Sequence, residues 1–316
     1  MDECMKTLKE ELASIGDRYA DRHGYINYRD ADYFEYDMAD FIGRQTQTLL
    51  GRGEPQLAFR AGMDALREFA DYEAEEGCGY VADAMDAMLT DILGACKEDD
   101  VSEVFGILLK CAGSVGEHRR VQDFAEQAVF SRFSRETFDK KKLEWVDRQI
   151  ADLEASSRQG YSGEYEMTQL LTRRFDLMKK LSRPKDEMDA FLARYTNYTD
   201  IRKLRIRQAL EDGKTDEAIR LLEEGKFDDR DKPGLVAEYS QWLMDLYERQ
   251  GQRDKLLAEL EYHVFTLSSG GMEMLNRLKK TCRVHRCSGS STGNGIFPGN
   301  IFTSWSLWNP RDFGNA

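Results

Sequence analysis

Apolar residues recur at steps of three and four from Met5 to about Lys280, and this spacing limits the chain to stacked amphipathic helices more tightly than any other feature. Met5, Leu8, Leu12, Ile15 and Tyr19 form the first stripe, with Asp2 placed to cap it. Leu57, Ala61, Ala65 and Phe69 follow the breaker Gly51-Arg52-Gly53-Glu54-Pro55, where Pro55 suits a first helical turn. Further stripes run through Val81, Met85 and Ile92, then Val104 and Leu108, Val121 and Ala125, Leu143 and Val146, and Leu171 and Phe175. Only five prolines occur in 316 residues, and two of them, Pro298 and Pro310, stand in the last twenty. Such scarcity of breakers favours long helices over the many turns of a sandwich or barrel.

Two segments of the C-terminal half repeat. QALEDGKTDEAIRLLEE (208–224) aligns with DLYERQGQRDKLLAELE (245–261), placing Gly213 on Gly251, an offset of 38 residues. In each copy a helix ends near a glycine able to adopt a left-handed C-cap and a polar helix start follows. A fainter echo, LLGRGEPQLAF (49–59), puts Gly53 in the same place. The spacing lies between the ~34-residue tetratricopeptide unit and the ~40–47-residue HEAT-like unit. The expected fold is therefore all-α, an α-α superhelix of antiparallel helix pairs with tetratricopeptide-like repeats. Its domains are a helical-repeat array over 1–280, divisible into two sub-arrays at a junction near 135–185, and an irregular or disordered tail over 288–316. In that tail the charge falls to Arg311 and Asp312 while Gly, Ser and aromatics accumulate.

The net charge of −13 is unevenly spread. Residues 1–100 hold 24 acidic against 10 basic side chains, a net of −14, and the remainder is balanced at 34 against 35. An acidic front gives no broad electrostatic reason to approach a phosphate backbone, so nucleic acid ranks second to a protein partner. No stretch reaches the ~18–20 apolar residues of a membrane span, and a cytoplasmic location without membrane association is expected. Six cysteines scattered through a chain of this size are expected to be free thiols.

Catalytic motifs are missing: no phosphate loop, no G-x-S-x-G elbow, no H-E-x-x-H and no calcium loop is present. A non-enzyme without cofactor is expected, and a hidden hydrolase would need a histidine converging with a carboxylate in a pocket. Cys282, His285 and Cys287 offer three zinc ligands where a closed site needs four, so no metal site is assigned. Asp30, Asp32, Glu35, Asp37 and Asp40 lack the ligand spacing of a calcium loop and read as an acidic helix start. Lys140-Lys141-Lys142, Arg173-Arg174 and Lys179-Lys180 read as either a basic strip or a solvated helix face. The densest aromatic string is DRHGYINYRDADYFEYDMADF (21–41), which packs a hairpin connection or presents a binding surface. His23, Tyr25, Tyr28, Tyr33 and Tyr36 are its candidate surface residues; Trp242 and Tyr247 of the C-terminal repeat join them.

In residues 21–42, in the ALEDGKTDEAIRLLEEG unit (209–225) and in DKPGLVAEYSQWLMDLYERQGQRDKLLAEL (231–260), the chain resembles the helical region that accompanies the zinc finger in bacterial SWIM zinc-finger proteins. The resemblance implies a helical-repeat fold and a nucleic-acid-associated or protein-binding setting. Relatives of that kind carry a C-x-C then C-x-H zinc motif, and neither pair occurs here, so no zinc-ligand role transfers.

Overall fold

The apolar stripes are helices in the computed structural model, which describes residues 2–74, 78–114, 116–156, 161–267 and 271–288. Among the described residues there are fourteen: α1 (Asp2–Tyr19), α2 (Tyr28–Gly51), α3 (Pro55–Asp71), α4 (Tyr80–Ala95), α5 (Glu98–Ala112), α6 (Arg119–Arg132), α7 (Glu136–Ala155), α8 (Tyr161–Lys180), α9 (Lys185–Arg194), α10 (Thr199–Glu211), α11 (Thr215–Asp228), α12 (Pro233–Arg249), α13 (Arg253–Phe265) and α14 (Gly271–Ser288). The protein is all-α apart from two-residue strands β1 (Tyr25–Ile26) and β2 (Glu73–Ala74), paired in parallel with Tyr25 opposite Glu73 and Ile26 opposite Ala74. Strands this short leave no apolar alternation in a sequence. No helix among the described residues is long and apolar enough to cross a membrane.

The chain divides into two compact units, Met1–Ile201 and Arg202–Ala316. The division falls inside α10, C-terminal to the expected 135–185 window. Within that window α7 and α8 pack on each other. The core of the first unit runs from Leu8 of α1 to Phe138 of α7. At its centre the Phe34 ring meets those of Tyr19, Phe69 and Tyr72, with centroids 5.4–6.1 Å apart. Phe105 gathers Phe133 and Phe138 in the same way. In the second unit Ile206, Ala218, Leu222, Tyr239, Met244 and Leu260 bring α10 to α13 around one core, and Leu278 adds α14.

Four helix ends share one turn. After α10, Gly213 adopts φ 73°, its N–H bonds the Leu210 carbonyl (3.1 Å), and the Lys214 N–H bonds that of Ala209 (2.8 Å). After α12, Gly251 (φ 68°) bonds Glu248, and Gln252 bonds Tyr247. After α2, Gly53 (φ 73°) bonds Leu50, and Glu54 bonds Leu49. This is the Schellman pattern, which satisfies two carbonyls of the last helical turn. The fourth copy ends α8, where Ser182 stands in the glycine position at φ 49° and Arg183 bonds Met178 (3.0 Å). A new helix begins within a few residues each time, at Pro55, Lys185, Thr215 and Arg253.

α14 continues to Ser288, beyond Lys280 where the apolar stripe fades. The tail expected over 288–316 lies, from residue 289 onward, outside the described residues. Cys78, Cys96 and Cys111 are free thiols.

Candidate interaction surface

The aromatic string folds as a tight turn followed by a helix. Asp21 Oδ1 accepts hydrogen bonds from the N–H groups of His23 (2.7 Å) and Tyr25 (3.1 Å), which hold its carboxyl below the usual carboxylate range. Gly24 turns the chain at φ 79°, and β1 follows. Asn27 then caps α2, its side-chain oxygen accepting from the Arg29 N–H at 2.9 Å.

From Tyr28 onward the period of 3.6 sorts the string. Ala31, Phe34, Glu35, Met38, Phe41 and Ile42 are buried, while Tyr28, Tyr33 and Tyr36 are 73%, 66% and 60% exposed. Tyr25 and His23 are exposed before the helix, and His23 Nε2 accepts from Arg22 Nε at 3.0 Å. Of the six aromatics in the string, Phe34 and Phe41 are buried and the four tyrosines stay outside.

The structure adds residues that no local pattern could supply. The Tyr80 ring, at the start of α4, stands edge-on to Tyr36 with centroids 6.1 Å apart and an 89° angle between planes. Beside it the exposed Cys78 thiol lies 3.3 Å from Asp32 Oδ1, and that hydrogen bond raises the thiol above its ordinary value, away from thiolate reactivity. Glu35 reaches under this corner: its Oε1 accepts from the Val81 N–H at 3.3 Å, and its buried Oε2 has no hydrogen-bond partner.

The other acidic residues of the cluster are tied down separately. Asp37 takes Arg18 (2.6 Å) and the Tyr19 hydroxyl (2.7 Å), both from α1; Asp40 takes Arg44 (2.6 Å), and Asp30 takes the Asn27 amide (2.6 Å). No group of three or more His, Cys, Asp or Glu side chains able to hold a metal occurs among the described residues. The side chains of His285 and Cys287 lie outside the described ones.

Trp242 and Tyr247 belong to the second unit. Trp242 is half-buried against its core, with the Arg207 guanidinium 5.7 Å from the ring centroid. Tyr247 is a core residue at 4% exposure whose hydroxyl donates to Glu223 (2.8 Å), so its ring offers no open face. Three of the basic residues are engaged internally, while Lys140, Lys141, Lys179 and Lys180 are exposed. Lys142 is buried against Asp139 (3.0 Å) and the Phe133 carbonyl, Arg174 binds Asp147 (2.6 Å), and Arg173 binds Glu126 and lies over Phe130.

Ser240 Oγ and His263 Nδ1 stand 3.1 Å apart, the arrangement of a nucleophile and its base. Both are sealed in the core of the second unit, at 0% and 2% exposure, and Glu259 nearby is bound to Lys226 (2.5 Å). A wholly buried hydroxyl admits no substrate; this contact satisfies two buried polar groups.

These features define a class, an all-α protein with a tyrosine-rich, acidic surface on its N-terminal helices. No protein-family model, no curated protein and no solved structure matches the chain.

Proposed function

We propose that the chain is a non-catalytic scaffold of tetratricopeptide-like helix pairs that mediates protein–protein interaction, with His23, Tyr25, Tyr28, Tyr33 and Tyr36 on its binding surface. The observation that carries this reading is the row of exposed tyrosines on α2. Large rings left in water beside a well-packed core mark recognition surfaces, since tyrosine offers apolar area and a hydroxyl at little conformational cost. The repeated Schellman turn supports the helix-pair architecture, and stacked pairs present extended surfaces of the kind scaffolds use. The resemblance of residues 21–42, 209–225 and 231–260 to the helical region of SWIM zinc-finger proteins supports the helical-repeat part of this reading, and the nucleic-acid association it also implies is the rival.

The test is affinity purification of the tagged full chain from nuclease-treated extract, with cross-linking to residues 21–42. A stoichiometric protein cross-linked through α2 is the expected outcome. Salt-sensitive retention of a DNA duplex at near-physiological ionic strength, without a protein partner, would overturn it in favour of nucleic-acid association.

A further inference from the structure

If α2 is an interaction surface, its chemistry narrows the partner. Between Tyr28 and Gly43 this helix carries five carboxylates, Asp30, Asp32, Glu35, Asp37 and Asp40, against one cation, Arg29. Its neighbour α4 carries Asp83, Asp86 and Asp91 and no Lys or Arg at all. Arg18, Arg44 and Arg132 neutralise Asp37, Asp40 and Asp86. Asp30, Asp32, Glu35 and Asp83 form no ion pair among the described residues. Negative charge therefore remains where Tyr28, Tyr33, Tyr36 and Tyr80 are exposed.

Two features at this place call for a positive group. The perpendicular rings of Tyr36 and Tyr80 make a corner with Asp32 at its edge, and tyrosine faces attract ammonium and guanidinium ions. Beneath it the Glu35 carboxylate, 5% exposed, carries an oxygen that receives no hydrogen bond. A buried carboxylate oxygen without a donor is costly, and a cation brought close above it relieves that cost electrostatically. An anionic partner meets like charge here, an apolar one strips water from carboxylates without replacing it, and a second copy docking by the same face repeats the repulsion.

We propose that this surface binds a Lys- and Arg-rich segment of a partner protein, one cationic side chain seating in the Tyr36–Tyr80 corner beside Asp32. The proposal rests on the scaffold reading and gives its partner a chemistry. The probe is a dye-labelled peptide of alternating arginine and glycine, titrated with the full chain and followed by fluorescence anisotropy. Saturable binding that weakens with added salt is expected. The double variant Tyr36→Ala/Tyr80→Ala should weaken it roughly 5–30-fold, the value of two exposed cation–π contacts, whereas Tyr36→Phe/Tyr80→Phe, which keeps both ring faces, should change it by less than about twofold. Equal binding by the alanine variant overturns the proposal, as does equal binding of a glutamate–glycine peptide. So does a concentration-dependent dimer in sedimentation that the alanine variant abolishes. A chain that captures its protein partner through α2 yet ignores the arginine peptide fails this proposal alone; a chain that does neither fails the scaffold reading too.

Discussion

Glu35 Oε1 lies 3.3 Å from the backbone nitrogen of Val81, so a carboxylate of α2 caps α4, whose own N-cap residue, Gly79, has no side chain to offer. The bond fixes the two helices to each other and places negative charge at the positive end of the α4 dipole. Replacing Glu35 by alanine should cost about 1–3 kcal/mol in urea denaturation, combining a lost cap with an unsatisfied buried N–H. Glu35→Gln keeps an acceptor and removes an incompletely paired charge, so it should cost less than half as much. Equal losses in the two variants would show that charge, not capping, is what matters there.

Ser182 adopts the left-handed conformation that glycine supplies at the other three Schellman turns. Its Cβ opposes that conformation by about 1–2 kcal/mol, partly offset by the greater freedom of an unfolded glycine. Ser182→Gly should therefore stabilise the protein by up to about 1 kcal/mol, read as a raised urea midpoint with unchanged slope. Ser182→Ala should bring no gain.

Gly225 in α11 lets two side chains close over it. A Cβ there would stand 2.9 Å from Tyr239 Cε2 and 3.2 Å from Arg202 Cδ. Tyr239 is wholly buried, its hydroxyl bonded to Asp229 and pushed up to about 12 chiefly by burial, so it has little room to give. Alanine normally favours a helix over glycine by about 1 kcal/mol, but Gly225→Ala should cost about 1–3 kcal/mol through overpacking. Gly43→Ala in α2, where nothing lies within 4 Å of the new Cβ, should show the ordinary gain. Thermal unfolding of the two variants side by side checks the contrast.

His263 is kept neutral in the core. Burial is the main cause that lowers its proton affinity; Lys226 acts in the same direction and Glu259 against it. A histidine that titrates lower when folded than unfolded makes the unfolded chain bind more protons, so its contribution is present above about pH 6.5 and is lost as the pH falls below that value. The wild type should lose stability relative to His263→Gln on going from pH 7 to pH 5, by at most about 1.4 kcal/mol per pH unit. Denaturation series at both pH values give the difference directly, and parallel curves for the two proteins would refute the assignment.

Local rules carried the sequence reading as far as local rules reach. The three-four spacing of Leu57, Ala61, Ala65 and Phe69 and the position of Pro55 sufficed for α3, and Gly213 and Gly251 revealed their turns because φ near 70° selects glycine. Ser182 hid the fourth turn for the same reason, since serine carries no such signature. The exposed tyrosines of α2 were legible as a string, and the helical period alone separates them from Phe34. Tyr80 was not, because 44 residues of chain separate it from Tyr36 and only the packing of α4 on α2 brings the rings together. Tyr247 misled for a related reason: its ring looks like a surface aromatic until Glu223 is found to satisfy its hydroxyl inside the core.

The parallel bridge between Tyr25–Ile26 and Glu73–Ala74 encloses α2 and α3 in a single loop. Turns such as the one at Gly53 close over a few residues and can form on the microsecond scale, whereas the bridge needs both helices docked first, so its chain-closure entropy is spent late. Amide exchange at β1 and β2 would then follow the cooperative opening of the whole N-terminal hairpin rather than the fraying of any one helix. Four residues too short to count as a sheet thus act as a clasp whose release reports when the tyrosine-bearing helix has left its place.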